Sequence, residues 1–106
     1  MNEEKFREWL RQRYSQKVVS DNISRLRKII KTIGDVNAEY DKDHCSYLLS
    51  LFDNLGDNVE MKSYNSRLPV GSNFIRCYKY ALKLYVKFRE ESEETKMINY
   101  GKTVEY

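Results

Sequence analysis

The chain has 106 residues and a formal net charge of +3, and 33% of its residues are charged. This length indicates one domain with a core of its own, which does not need the disulfides or metal of a mini-protein. No apolar run reaches the roughly 20 residues of a membrane helix, and the N-terminus lacks the apolar stretch of a signal peptide. We therefore expect a soluble cytoplasmic protein. One proline and four glycines are too few for the turns of an all-β fold.

The charged residues are distributed unevenly along the chain. Residues 1–33 carry a net charge of +5, residues 34–60 carry −6, residues 61–90 carry +6 and residues 91–106 carry −2. A modest total therefore conceals two strongly basic segments on either side of an acidic one. If the basic segments fold side by side, their common surface attracts a polyanion at long range and contacts phosphates at short range.

The first predicted helix spans residues 2–13. Asn2 is a suitable N-cap because its side chain can accept a hydrogen bond from a backbone N–H in the first turn. The apolar residues follow the i, i+3, i+4 spacing of one narrow helical stripe, which consists of Phe6, Trp9 and Leu10.

The second predicted helix spans residues 16–33, with Ser15 as its N-cap and Gly34 as its terminator. At about 100° per residue, the apolar side chains fall on one face of this helix and the cations on the opposite face. The basic face carries Lys17, Lys28 and Lys31, with the hydroxyls of Ser20 and Ser24 beside them.

The middle of the chain is predicted to be acidic and less regular. Residues 34–42 read as a connection, and a third helix is predicted over 42–55 with Asp41 as its cap and an acidic or neutral exposed side. Residues 56–71 are rich in turn-forming residues, with a short helix near Met61 as one interpretation.

The last predicted helix spans residues 73–91 and is capped by Ser72. Its apolar face is predicted to contain Phe74, Cys77, Tyr78, Ala81, Tyr85 and Phe88. The i, i+3 and i+4 spacings place four cations along one other side, with Tyr80 on its flank: Arg76, Lys79, Lys83 and Lys87. We expect a domain over residues 1–91 and a linker or flexible tail over residues 92–106.

Residues that carry catalysis or bind metals are sparse. His44, the single histidine, has no nucleophile nearby in a catalytic pattern. Cys45 and Cys77 fall on apolar faces and are interpreted as buried free thiols in a reducing compartment, since a disulfide would require the two helices to cross there. The segment 60–62 matches a nuclease-like Glu-x-Lys pattern, but no strand-like sequence flanks it. The sequence therefore predicts no enzyme activity, no cofactor and no metal site.

Two stretches resemble the N-terminal core-binding domain of tyrosine recombinases and phage integrases. The first is Phe6-Arg7-Glu8-Trp9-Leu10 together with the Ser-Gln-Lys helix start and the helix over 15–29, and the second is the helix over 73–88. That family has an aromatic-x-x-aromatic-Leu first helix, a Ser-x-Lys-Thr-like start to the second and an aromatic-rich last helix. The resemblance covers about residues 4–90.

The resemblance implies a four-helix bundle of the SAM-like type, which clamps one side of duplex DNA with its second and fourth helices facing the major groove. Carried onto this sequence, it implies these DNA-contacting residues: Lys17, Ser20, Ser24, Arg25, Lys28, Arg76, Lys79, Lys83 and Lys87. The chain departs from the family at Val18 and Val19, where a Thr is usual, and in its long connection over 56–71. It also lacks the family's Arg…His-x-x-Arg…Tyr constellation, so the catalytic domain is expected elsewhere in the same protein or in a partner.

These observations together predict an all-α, four- to five-helix orthogonal bundle that binds duplex DNA without catalysis and is monomeric without DNA. Two other functions stay open. One is a helical protein-interaction module, in which the acidic third helix of one copy meets the basic stripe of another. The other is an accessory DNA-binding domain of a nuclease or other DNA enzyme. Lysine-rich exposed faces are also common on proteins without such functions.

Overall fold

The computed structural model describes the backbone over residues 2–104 and the side chains over residues 2–93. Within these residues the chain forms six α-helices, a 3₁₀ segment and no strand, so the predicted all-α class is confirmed. The elements are α1 (Glu3–Arg11), α2 (Gln16–Thr32), α3 (Val36–Asp43), α4 (Ser46–Ser50), the 3₁₀ segment Asp53–Gly56, α5 (Val59–Lys62) and α6 (Ile75–Val104). None of the helices in the described chain combines the length and the apolar character needed to cross a bilayer.

The starts of α1 and α2 agree with the sequence predictions. The Asn2 side chain accepts a hydrogen bond from the Lys5 backbone N–H at 3.2 Å. The Ser15 hydroxyl accepts one from the Val18 N–H at 3.4 Å. Both caps satisfy backbone donors that a helix N-terminus otherwise leaves free. Helix α1 ends at Arg11, two residues earlier than predicted.

The predicted connection over 34–42 and the single helix over 42–55 are both wrong. Asp35 caps helix α3 by accepting a hydrogen bond from the Asn37 N–H at 3.0 Å. Asp41, the predicted cap, instead lies inside this helix. Helix α3 then buries Val36 and Tyr40, which lie four residues apart on one side. It ends because His44 and Cys45 adopt left-handed conformations, with φ of 56° and 62°. A continuous helix through this point is therefore impossible, and α4 starts afresh.

The irregular segment between α4 and α6 contains the predicted short helix, α5. Asn58 caps it by accepting a hydrogen bond from the Met61 N–H at 2.8 Å, and its amide donates to the Leu51 and Asp53 carbonyls. Met61 is buried. Gly56 has φ of +76°, and a Cβ there would lie 3.3 Å from a Val70 methyl, so this close turn requires glycine.

Helix α6 starts and ends later than the predicted helix over 73–91. Residues 73 and 74 lie in i→i+3 turns that lead into the helix, and this tighter winding leaves Phe74 72% exposed rather than in the predicted apolar face. The backbone continues as helix to Val104. Glu93 accepts a hydrogen bond from the Tyr40 hydroxyl at 3.3 Å, so α6 packs on the bundle at least that far. The division of the chain at residue 91 stays a prediction, and the side chains of its proposed tail from residue 94 lie outside the described residues.

The core lies between α2 and α6, which form the most extensive helix pair, with α1 packed across both. The Phe6 ring is fully buried and contacts the rings of Tyr85 and Phe88 with centroids 5.5 and 5.3 Å away. From α2 the core takes Val19, Ile23, Leu26 and Ile29. Burial of these apolar faces fixes which sides of α2 and α6 meet solvent, because the opposite sides carry the charges.

Candidate nucleic-acid interface

The solvent-facing side of α2 carries the residues predicted there. Arg25 is half-buried at the edge of this face, and the fully exposed members are Lys17, Ser20, Ser24 and Lys28. Lys31 extends the same face by one turn and is also exposed. With a rise of about 1.5 Å per residue, the strip from Lys17 to Lys31 is about 21 Å long. The α2 basic face, as we name these six residues, is therefore a strip of cations and hydroxyls with one carboxylate, that of Asp21, among them.

The basic stripe of α6 is formed as predicted at three of its four positions. Arg76, Lys83 and Lys87 are exposed. Lys79 differs, because its ammonium lies 3.5 Å from the Asp53 carboxylate and its side chain is only 32% exposed. The 3₁₀ segment that carries Asp53 packs on α6. Lys79 is therefore partly neutralised within the protein, whereas the other three cations form no ion pair with any side chain of residues 2–93.

The two basic faces are linked at one end by a pair of tyrosines. Hydrogen bonding to the phenol of Tyr14, together with burial, raises the pKa of Tyr80. Tyr80 is three residues before Lys83 on α6 and therefore a neighbour of the α6 stripe, and Tyr14 precedes Lys17 by three residues. This contact places the residue before the Ser15 cap of α2 near Tyr80 in the first half of α6. Lys28 lies at the other end of α2 and does not take part in this junction.

Most other cations of the described side chains are neutralised by carboxylates. The ion pairs outside the predicted interface are Arg7 and Arg27 with Glu3, Arg11 with Glu8, Arg13 with Glu91, Lys62 with Asp57, and Arg89 with Asp41. Each exposed pair contributes little to stability, about 0–1 kcal/mol. The distribution of paired and unpaired cations nevertheless determines the electrostatic field around the protein. Six of the seven cations in the predicted interface form no ion pair with any side chain of residues 2–93: Lys17, Arg25, Lys28, Arg76, Lys83 and Lys87.

Arg89 is a cation whose contacts stabilise the fold. Its guanidinium donates hydrogen bonds to Asn37 at 2.6 Å and to Asp41 at 3.0 Å, and it stacks 4.4 Å from the centroid of the Tyr40 ring. Tyr85 also donates a hydrogen bond to Asn37. These contacts attach α3 to α6 and leave Arg89 little freedom to bind a ligand.

Sequence reasoning missed Arg67, which lies beside the C-terminal half of α2. The loop over residues 65–67 folds onto α2 near Lys28 and Lys31, and these residues line one pocket with it. No helical periodicity marks this loop, and the turn-forming residues around it show only that the segment is irregular. Its position depends on packing between distant parts of the chain, for which the local sequence carries no signal.

The residues considered for catalysis are held in structural roles. His44 stacks on Tyr40 with ring centroids 4.5 Å apart. Burial raises the pKa of the Cys45 thiol to about 12, so the thiolate nucleophile is scarce near neutral pH. Lys62 of the Glu-x-Lys segment pairs with Asp57 at 3.0 Å. The described side chains contain no group of three or more His, Cys, Asp or Glu residues that could hold a metal ion.

No family model, curated protein or solved structure matches this chain significantly.

Proposed function

We propose that this chain is a non-catalytic module that binds duplex DNA through the exposed basic faces of α2 and α6. The observation that supports this proposal most directly is the placement of free charge. Among the side chains of residues 2–93, six of the nine cations outside the α2 basic face and the α6 stripe pair with a carboxylate, whereas within these two faces only Lys79 does. Exposed cations repel each other, and the negative charge of a bound polyanion relieves that repulsion. Release of the polyanion's counterions favours binding further.

Binding would proceed by long-range attraction followed by contact with the phosphates. An α-helix fits the major groove of B-DNA, which is about 12 Å wide. The lysines and serines of the two faces supply donors for phosphate oxygens, which position a protein on DNA without reading its sequence. Arg76 and Arg25 have guanidinium groups that can form paired hydrogen bonds to the O6 and N7 atoms of guanine, so they are the candidates for base recognition.

As a finer proposal, the module is a core-binding domain of a tyrosine recombinase or phage integrase that acts in the cytoplasm. Its role would be to hold one side of the DNA for a catalytic domain located elsewhere. The support is the sequence resemblance over residues 4–90, together with an all-α bundle whose second and last helices carry the free cations. The departures at Val18, Val19 and the long segment between α4 and α6 bear on this finer proposal, not on DNA binding itself.

Paired charge reversals test the proposed interface. Lys83→Glu combined with Lys87→Glu changes the α6 stripe, and Lys5→Glu combined with Lys42→Glu makes the same change in net charge at exposed residues outside both faces. We expect the first variant to lose at least about tenfold in affinity for a short duplex and the second to lose about threefold or less. Thermal unfolding of both variants checks that the fold is intact. Equal losses in the two folded variants would refute the α6 stripe as the DNA-binding surface.

A further inference from the structure

The C-terminal half of α2 and the loop over residues 65–67 form the walls of an open pocket of about 600 Å³. We call it the α2–loop pocket. Its lining is Arg27, Lys28, Lys31, Thr32, Asn65, Ser66 and Arg67. Four of these seven residues are cations and none is acidic. The pocket continues the α2 basic face, since Lys28 and Lys31 belong to both.

Three of the four cations in the α2–loop pocket are available to a ligand. Arg27 is occupied, because it donates two hydrogen bonds of 2.5 Å to the Glu3 carboxylate. Lys28, Lys31 and Arg67 are exposed and make no ion pair with any side chain in the described part of the chain. Three cationic residues from two different elements therefore line one concavity.

The pocket also contains a hydroxyl without a partner. The Ser66 Oγ is buried, and among the described residues it has no hydrogen-bond partner. A buried hydroxyl is normally paired because it loses its hydrogen bonds to water. Thr32, on the opposite wall, is already satisfied because its hydroxyl donates to the Lys28 carbonyl at 2.7 Å. The lining of the pocket thus includes a residue, Ser66, whose hydroxyl is unsatisfied, together with three cations, and hydroxyls and cations are groups from which phosphate oxygens accept hydrogen bonds.

The end of α2 by itself does not explain this arrangement. Lys31 lies in the last turn of α2, where a cation is favoured by the negative end of the helix dipole. That dipole end, equivalent to about half a negative charge, also disfavours an anion, but three full positive charges outweigh it. Arg67 belongs to a loop distant in sequence, so helix stabilisation gives no reason for its presence beside Lys28.

We infer that the α2–loop pocket binds a backbone phosphate of duplex DNA, with Arg67 and Lys31 as its main ligands and Ser66 as an added donor. This inference rests on the proposed function, because it extends the same interface beyond the helices. The strip that begins at Lys17 ends at this pocket, about 21 Å away. A phosphate held there would fix the register of α2 along the groove, while the remaining cations contact the neighbouring phosphates and bases.

The test compares Arg67→Glu with Lys42→Glu, an identical change of charge at an exposed residue outside the pocket. Affinities of the full chain for a fluorescent 20-base-pair duplex would be measured at three salt concentrations. We expect Arg67→Glu to bind about 5- to 20-fold more weakly than Lys42→Glu and to reduce the salt slope by about one. Both residues are exposed, and circular dichroism would verify that both variants are folded.

Two results would overturn the inference, and only the second would also refute the proposed function. If the unmodified chain binds the duplex but Arg67→Glu matches Lys42→Glu in affinity and salt slope, the pocket does not hold a phosphate and the proposed function stands. If the unmodified chain fails to bind the duplex even at the lowest salt, the proposed function fails first and the pocket inference fails with it.

Discussion

Glu3 on α1 accepts two hydrogen bonds of 2.5 Å from the guanidinium of Arg27 on α2. The two residues are 24 positions apart, so this pair fastens α1 across α2. It also removes one cation from the wall of the α2–loop pocket, which leaves Lys28, Lys31 and Arg67 there without an ion pair among residues 2–93. One ion pair therefore serves the fold while the cations beside it remain available to a ligand.

Stability is expected to decrease in acid because of Glu3. The hydrogen bond from Arg27 is the main cause that holds the pKa of Glu3 below its usual 4.5, against a smaller opposing effect of burial. The contribution of this pair is present above the unfolded pKa and is lost as pH falls through the lower folded pKa. The urea midpoint should therefore exceed that of Glu3→Gln near pH 6, and the difference should shrink below about pH 4.5. A difference that stays constant down to about pH 3 would contradict this assignment.

Truncation of two phenylalanines is expected to have very different effects on the free energy of unfolding. Phe6 is fully buried and its ring meets the rings of Tyr85 and Phe88, whereas Phe74 is 72% exposed. Phe6→Ala should lower the free energy of unfolding by about 3–5 kcal/mol. Phe74→Ala should change it by no more than about 0.5 kcal/mol. Urea denaturation of the two variants measures both values, and a large cost at Phe74 would place that side chain in the core after all.

Release of Lys79 should strengthen DNA binding if the α6 stripe is the interface. Asp53→Asn removes the carboxylate 3.5 Å from the Lys79 ammonium. The freed charge can then contact a phosphate, which adds up to about 0.9 to the magnitude of the salt slope. Asp41→Asn is the matched control, because it makes the same change of charge and frees Arg89 from its 3.0 Å ion pair beside α3. Equal gains in duplex affinity for both variants would indicate a general charge effect and no special role for Lys79.

The two cysteines should differ in reactivity. Burial raises the pKa of the Cys45 thiol to about 12, and its Sγ lies 3.6 Å from the Val36 carbonyl oxygen. Cys77 is only half-buried. A thiol reagent at about pH 8 should therefore label Cys77 in the native protein and Cys45 only after unfolding. Mass spectrometry of unmodified chain and Cys77→Ser would show this, and rapid native labelling of Cys77→Ser would be the contrary result.

The sequence was sufficient for features that depend on local patterns. Asn2 and Ser15 cap helices as expected, because a side-chain acceptor just before an amphipathic segment acts within one turn. The position of the exposed face of α2 also follows from hydrophobic periodicity. The opposite face is apolar and is therefore buried in the core, which leaves the charged face in solvent. The all-α class follows from the same two signals.

Features that depend on tertiary packing could not be predicted. The break between α3 and α4 requires positive φ at two successive residues, His44 and Cys45. Histidine is enriched in this conformation but cysteine is not, so the local sequence does not predict a left-handed pair. The ion pair of Lys79 with Asp53 joins segments that no periodicity relates. Arg67 belongs to a loop whose position beside α2 is determined by the whole fold. The two helical faces of the candidate interface were therefore predictable from the sequence, and the loop that carries Arg67 was not.

The measurement that tests the central claim most directly is the salt dependence of duplex binding by the unmodified chain. Fluorescence anisotropy with a random-sequence duplex, over about 50–200 mM salt, gives the slope of log K against log salt. About four to six phosphate contacts by the free cations predict a slope between about −3.6 and −5.4. No binding at the lowest salt, or a slope close to zero, would contradict the claim that these basic faces bind the DNA backbone.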